Sequence, residues 1–324
     1  MNQMTVCMLL AGATAGMAYG ATVRAQAYPD RPIRFIVPFA PGGTSDLVGR
    51  LLSVKLGEEL GQTIVIDNRA GAGSTLGTAL VAKAAPDGYT VIVNHNGLAI
   101  NETLYPKLPY NARKDLTAVA GVGDTPNAVV VNSGLPVKNV RDLIALAKKQ
   151  PGKLDYGSGG HGSTGHLSVV LLEDVAGVRF NHIPYKGGGP SVAAVVSSQV
   201  HFAMPALPTA VPHVKAGRLR IFAVTGATRS ASMPELPTVA EAGVPGYEFA
   251  TWYGIFAPAG TPKHVVARLH QAIAKVMEMR DLREQLAQQG LETRVSSPEA
   301  LGKTLQADIV KWGRIVKSAG ITIE

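Results

Sequence analysis

A switch of hydrophobic period at paired or clustered glycines, met at four places, constrains this chain more than any other feature. In Ile33-Arg34-Phe35-Ile36-Val37 a short β-favouring run breaks at Pro38-Phe39-Ala40-Pro41-Gly42-Gly43, after which Leu47, Leu51, Leu52, Leu56 and Leu60 recur at helical spacing. That is a strand, a turn and a helix N-terminus. Glycine lets the backbone approach a ligand, and the first-turn amides of the helix have no partner within it, so the corner favours an anion. The second corner runs from the strand Thr63–Ile66 through Asp67 to Thr75, into a helix carrying Leu76, Leu80 and Val81. In the third, Leu154-Asp155-Tyr156 meets the glycine-rich stretch 157–165 and a helix with Leu167, Val170 and Leu171. The fourth joins the strand Phe180–Tyr185 to Lys186-Gly187-Gly188-Gly189-Pro190, with Pro190 expected at the first helical position ahead of Val192, Val195 and Val196. Four such corners can surround one small acid.

At 324 residues the chain suits two α/β domains rather than one core. Alternating β and α units imply mainly parallel sheets flanked by helices, with a crevice outside the strands' carboxyl ends. The strand Tyr89–Val93 ends there at a polar loop, Asn94-His95-Asn96-Gly97. Strands are expected at 128–131, 200–204 and 220–224, and short or long helices at 137–149, 236–242, 263–280, 282–289 and 298–318. The segment 247–256 is long for a strand and is expected to cross between domains. The boundaries follow: residues 28–127 and 251–324 form the first domain, and 128–250 a second one inserted into it.

The first 27 residues read as an export signal. Val6 to Ala18 is apolar, Ala25-Gln26-Ala27 has the form of a processing site, and the segment is too short to span a bilayer. Lys and Arg are missing from its first five residues, a departure from the usual pattern. Cys7 is the only cysteine and would leave with the signal, which excludes disulfides, thiolate catalysis and thiolate metal ligation in the mature chain. The net charge of +8 falls by one when Arg24 is removed, and the basic residues are scattered rather than clustered with aromatics. Such a field favours small anions over nucleic acid.

Several motifs fail on inspection. Gly157 to Gly162 fits G-x-G-x-x-G, but the next strand, Arg179 to Pro184, lacks the ribose-binding carboxylate of a dinucleotide site. No Gly-Lys-Ser/Thr follows any glycine loop. Ser163 stands where a nucleophile elbow would place its serine, yet His161 occupies the position of the required first glycine. Ser163 as a nucleophile paired with His182 or His201 is the alternative to its service as a helix cap or anion donor. The eight histidines show no metal-ligand spacing, since His161 and His166 lie five apart and five residues do not share a helix face. Asp46 in the first turn would repel an anion directly, so its expected role is to accept loop amides and complement the dipole.

Nearly all of the chain after residue 27 resembles the Bug family of extracytoplasmic solute receptors, the binding subunits of tripartite tricarboxylate transporters. The resemblance rests on Tyr28-Pro29-Asp30-Arg31-Pro32-Ile33, on 38–46, on Asn68 to Ser74, on Pro86-Asp87-Gly88-Tyr89, and on 151–158. Pro184-Tyr185-Lys186-Gly187, 236–243, Trp252 and 257–262 extend it. It implies a two-domain, type II-like periplasmic binding fold that closes over a carboxylate with amides, hydroxyls and water, in a monomeric receptor with no enzymatic activity and no cofactor. Its partners would be the ligand and the transporter's membrane subunits, met in the periplasm. Matching loops would give the binding role to Phe39, Gly43 and Thr44, to Ala72 and Ser74, to His95 and Asn96, and to Ser158, Gly159, His161 and Ser163. Tyr185, Met204 and Pro205 are expected walls. Many members carry an acid where Pro205 stands here. An ammonium group would lack its partner, so the expected ligand is an aromatic acid or a short di- or tricarboxylate. A secreted serine hydrolase using Ser163 is the competing class.

Overall fold

The computed structural model describes residues 28–318. The expected export segment, with Cys7 and Ala25-Gln26-Ala27, lies outside the described residues. In chain order the elements are β1 (Ile33–Val37), α1 (Thr44–Leu60), β2 (Ile64–Asn68), α2 (Thr75–Ala82), β3 (Thr90–His95), α3 (Gly97–Leu104), α4 (Ala112–Asp115) and β4 (Leu116–Pro126). There follow β5 (Ala128–Val131), α5 (Val140–Lys149), β6 (Asp155–Ser158), α6 (Thr164–Ala176), β7 (Asn181–Pro184), α7 (Gly188–Val196), β8 (Phe202–Ala203), α8 (Leu207–Lys215) and β9 (Arg220–Val224). The chain ends with β10 (Ala250–Pro258), α9 (Lys263–Met277), α10 (Arg280–Gln288), β11 (Glu292–Ser296) and α11 (Pro298–Ser318).

Two sheets result, in the orders β11-β4-β10-β3-β1-β2 and β7-β6-β8-β5-β9. Each is mixed, which corrects the expectation of mainly parallel sheets. β1 is parallel to β2 and β3, but β10 returns antiparallel between β3 and β4. Likewise β6 is parallel to β7 and β8, whereas β5 runs antiparallel to β8 and β9. In the first sheet β11 at the edge also runs antiparallel to β4, while β10 and β5, the antiparallel strands inside each sheet, are the ones beside a crossing between lobes. β10 arrives from the second lobe and β5 departs into it, so neither is delivered by a β-α-β crossover, the connection that enforces parallel pairing.

Helix α1 shows how the local code works. Val48, Leu52, Leu56 and Leu60 are buried at intervals of four against the first sheet, and Gly61 ends the helix in the left-handed region at φ 66. Leu47 and Leu51, expected on the same stripe, are less buried, because the buried face begins one residue later. Elsewhere the 236–242 segment is a turn, not a helix. Thr238 and Glu241 exchange the bonds of a capping box, but Gly243 at φ 113 stops the chain after one turn. The strand expected over 247–256 begins at Ala250, since Tyr247 and Phe249 bury their rings in the second lobe's core.

The lobes are joined twice within a few ångströms. Asn127, between β4 and β5, donates to the Met204 carbonyl at 2.6 Å and accepts from Thr251 Oγ1 at 3.0 Å. Thr225 Oγ1 receives the Asn127 N–H at 2.6 Å and lies 2.7 Å from the Phe249 carbonyl. Side chains therefore lace the outgoing and returning strands together. A hydrophobic bridge adds to this: Ile100 and Leu104 of α3 and Trp312 and Val316 of α11 belong to the same buried cluster as the second sheet's Val129, Tyr156 and Phe202.

Candidate functional site

A cavity of about 40 Å³ lies between the lobes. Four helix N-termini reach it. α1 contributes Gly43, Thr44 and Ser45; α6 contributes Ser163, Thr164 and Gly165; α7 contributes Gly188 and Ser191; and α8 contributes Ala206 and Thr209. At α1 and α7 the capping residues are Gly43 and Gly187, and at α8 Ala206, none of which supplies a side-chain cap. At α1 and α7 the first-turn amides stay available, whereas at α8 Pro208 has no N–H and the Thr209 N–H bonds the Ala206 carbonyl at 3.0 Å; the positive ends of the dipoles add. Pro190 is the third residue of α7 rather than the first, so it removes an amide that has no helical partner anyway. No Asp, Glu, Lys or Arg lines the cavity among the described residues.

His95, the last residue of β3, supplies the one imidazole on this wall. It stacks on Phe39 at 4.9 Å and meets Tyr253 edge-on at 5.9 Å. Its Nδ1 accepts the Gly97 N–H at 2.9 Å, which assigns the proton of the neutral ring to Nε2. Burial pushes its pKa down to about 3. The ring is thus an uncharged donor across neutral pH. Asp46 stands behind this wall and accepts from Gly42 N–H, Arg50 and Asn68 at 3.0–3.1 Å. Burial raises its pKa, but the bonds from Arg50, Asn68 and Gly42 outweigh burial and hold the carboxyl below its usual range. It organises the first corner without facing the cavity, as expected.

Of the fourteen residues singled out by sequence, Phe39, Gly43, Thr44, His95, Ser158, Gly159, Ser163 and Pro205 come together on the cavity wall. Six do not. Ala72 is exposed and Ser74 is buried under Asn101, because the second corner turns toward the loop holding His161 instead of into the cleft. Asn96 is spent on the crossing, donating to the Ala250 carbonyl at 3.1 Å. Met204 is fully buried in the second lobe's core and Tyr185 packs on that lobe's other cluster. In place of the second corner stands α8, whose Thr209 hydroxyl meets Thr44 Oγ1 across the cleft at 3.0 Å. Pro208 in the first turn of α8 was its available start signal. Tyr253 was hidden inside a strand pattern.

His161 belongs to another group. Its ring lies 4.7 Å from that of His182 and 5.6 Å from that of His166, and His166 stacks on His182 at 4.4 Å. The five-residue spacing that argued against such a meeting assumed a common helix, whereas His161 precedes α6 and His182 comes from β7. Burial, then the neighbouring imidazoles, push His166 down to about 4 and His182 down to about 2. The alternative pairing of Ser163 with His182 or His201 as base is not formed. Ser163 Oγ caps α6 by accepting the His166 N–H, while His182 Nε2 sits 2.6 Å from Ser158 Oγ and His201 Nδ1 accepts the Asp155 N–H.

The family model for the tripartite tricarboxylate transporter family receptor matches residues 48–321. Protein BugT of Bordetella pertussis is 36% identical over 314 residues, covering 96% of each chain. The solved structure of R. palustris Rpa4515 with adipate superposes with a TM-score of 0.88 at 38% identity, over 91% of this chain and 99% of that one. MatC (Rpa3494) from Rhodopseudomonas palustris with bound malate gives 0.85 at 34% identity, over 89% and 100%.

Proposed function

The chain belongs to the tripartite tricarboxylate transporter receptor family, a family of solute receptors and not of enzymes, and on that premise we propose that it is a periplasmic receptor for one small carboxylate. One observation carries this reading: four helix N-termini and the Nε2–H of a neutral His95 converge on a cavity with no charged side chain in its wall. Dipoles and hydroxyls stabilise an anion there without a counter-ion. The remainder of the ligand is neutral. An amino acid would carry an ammonium group past Pro205 into a site with no carboxylate to receive it, at a cost of several kcal/mol. Relatives solved with adipate and malate support a short dicarboxylate within the wider class of di- and tricarboxylates and aromatic acids.

Residues 28–127 with 251–324 move as one body and 128–250 as the other, hinged at Asn127 and Ala250, and the closed receptor presents its ligand to the membrane subunits as a monomer. Calorimetric titration with succinate-, adipate- and malate-like acids, citrate, benzoates, aspartate and glutamate in one buffer tests the ligand class. A dicarboxylate is expected to bind tightest, and Gly43→Glu to abolish binding by placing bulk and negative charge at the first corner. Tightest binding by aspartate or glutamate overturns the assignment. Hydrolysis of an activated ester that disappears in Ser163→Ala would overturn the receptor reading itself.

A further inference from the structure

The three clustered histidines are not used by the anion site, and their placement suits a different ligand. We propose that His161, His166 and His182 form a binding site for a transition-metal ion of the Zn²⁺, Ni²⁺ or Cu²⁺ class, set in the second lobe behind the cleft wall. One ring nitrogen from each lies within 4.8 Å of the other two. A tetrahedral site with metal–nitrogen bonds of about 2.0–2.1 Å has nitrogens about 3.3 Å apart, so the nitrogens need to draw in by no more than about 1.5 Å, and one ring of the stacked His166–His182 pair must turn so that lone pairs lying in the ring planes converge. His161 can supply its own part of that movement, and His182, half-buried on β7, the turn. The His161 ring is half-exposed on the loop before α6, whereas His166 is buried in the first turn of that helix.

The donor set selects the metal. Three imidazoles with neither thiolate nor carboxylate suit Zn²⁺, Ni²⁺ or Cu²⁺ and not Mg²⁺ or Ca²⁺, and three such ligands leave a fourth position open. A supporting contact stands in place around His182. Ser158 Oγ lies 2.6 Å from its Nε2 and 3.2 Å from the Gly160 carbonyl. With the hydroxyl proton on that carbonyl, Ser158 accepts the Nε2–H and leaves Nδ1 as the ligating atom, the kind of outer hydrogen bond that fixes tautomer and ring angle at metal sites. Tyr156 stacks on the same ring at 4.8 Å. Packing alone leaves this capacity unspent, since no hydrogen bond joins one of the three rings to another. Ligation by His166 gives up only the 3.2 Å bond that its Nδ1 accepts from Gly162 N–H. The His161 carbonyl accepts from Tyr105 of the first lobe at 3.3 Å, so a loaded site would bear on the contact between lobes.

Titration of the untagged protein with ZnCl₂ and NiCl₂, with the visible spectrum of added Co²⁺ as a second readout, tests the site. One ion per chain, a tetrahedral Co²⁺ band and a raised melting temperature are expected. His161→Gln, at a half-exposed loop position, should lower affinity at least about tenfold and remove the band. His182→Gln should do the same, and His264→Gln, exposed on α9, should do neither. Absence of binding at millimolar metal, unchanged binding in His161→Gln, or equal loss in His264→Gln overturns the proposal. Should His182→Gln fail to fold, His161→Gln and the Co²⁺ spectrum still decide.

Discussion

In the proposed site His95 would serve an anion without carrying a charge, and the same burial has a consequence for stability. His95, His166 and His182 titrate at about 3, 4 and 2 in the folded chain, below the ordinary value of about 6.5. Between those values the unfolded chain binds more protons, so stability rises with pH. It is fully present above about 6.5 and is lost as pH falls toward the folded values, at up to about 1.4 kcal/mol per ring per pH unit. The lowered carboxyl of Asp46 acts in the same direction at lower pH. Melting temperatures measured from pH 7.5 to 4.5 should fall, and His95→Asn should flatten the slope whatever it does to the temperature at pH 7.5. A flat profile for the unaltered chain would contradict this account.

At the scale of elements, the corner between β2 and α2 holds a fixed approach between the lobes. Gly73 has φ 57, and a Cβ there would lie 1.9 Å from the carbonyl oxygen of His161 in the other lobe. Backbone cannot yield as a flexible side chain would, so Gly73→Ala should hold the lobes apart. Scattering is expected to show a larger radius of gyration with ligand present, and affinity should fall about tenfold or more, about 1.4 kcal/mol. The corners themselves were legible in sequence, because glycine clusters coincide with a change of hydrophobic period at Gly43, Gly159 and Gly188. Other elements left weaker marks. β11 is an edge strand of Glu292, Thr293 and Arg294 with no apolar run, and β4 pairs irregularly at Gly121 and Gly123. α8 carries Pro212 in its interior, which masks its period. The histidine group was invisible for a different reason: its three members come from a loop, a helix and a strand, and only the tertiary fold brings them together.

For the whole molecule, the two crossings at Asn127 and Ala250 and the bridge of α3 and α11 onto the second core would make the proposed opening a rotation about a laced edge rather than a separation. The uncharged cavity adds a kinetic consequence. An anion approaching from solvent meets the long-range field of a chain with net charge +8, which salt screens within about 10 Å at 0.1 M. Once enclosed in the proposed site, it would be held by amides, hydroxyls and one imidazole N–H, beyond the reach of that screening. Association and dissociation should therefore respond differently to ionic strength. In stopped-flow measurements from about 0.02 to about 0.5 M NaCl, the association rate constant is expected to fall several-fold while the dissociation rate constant stays level. A dissociation rate that climbs in step with salt would mean that a charged side chain holds the ligand after all. In the proposed receptor capture and retention would thus be governed by separate parts of the molecule, its surface charge setting how fast an anion arrives and its helix ends how long it stays.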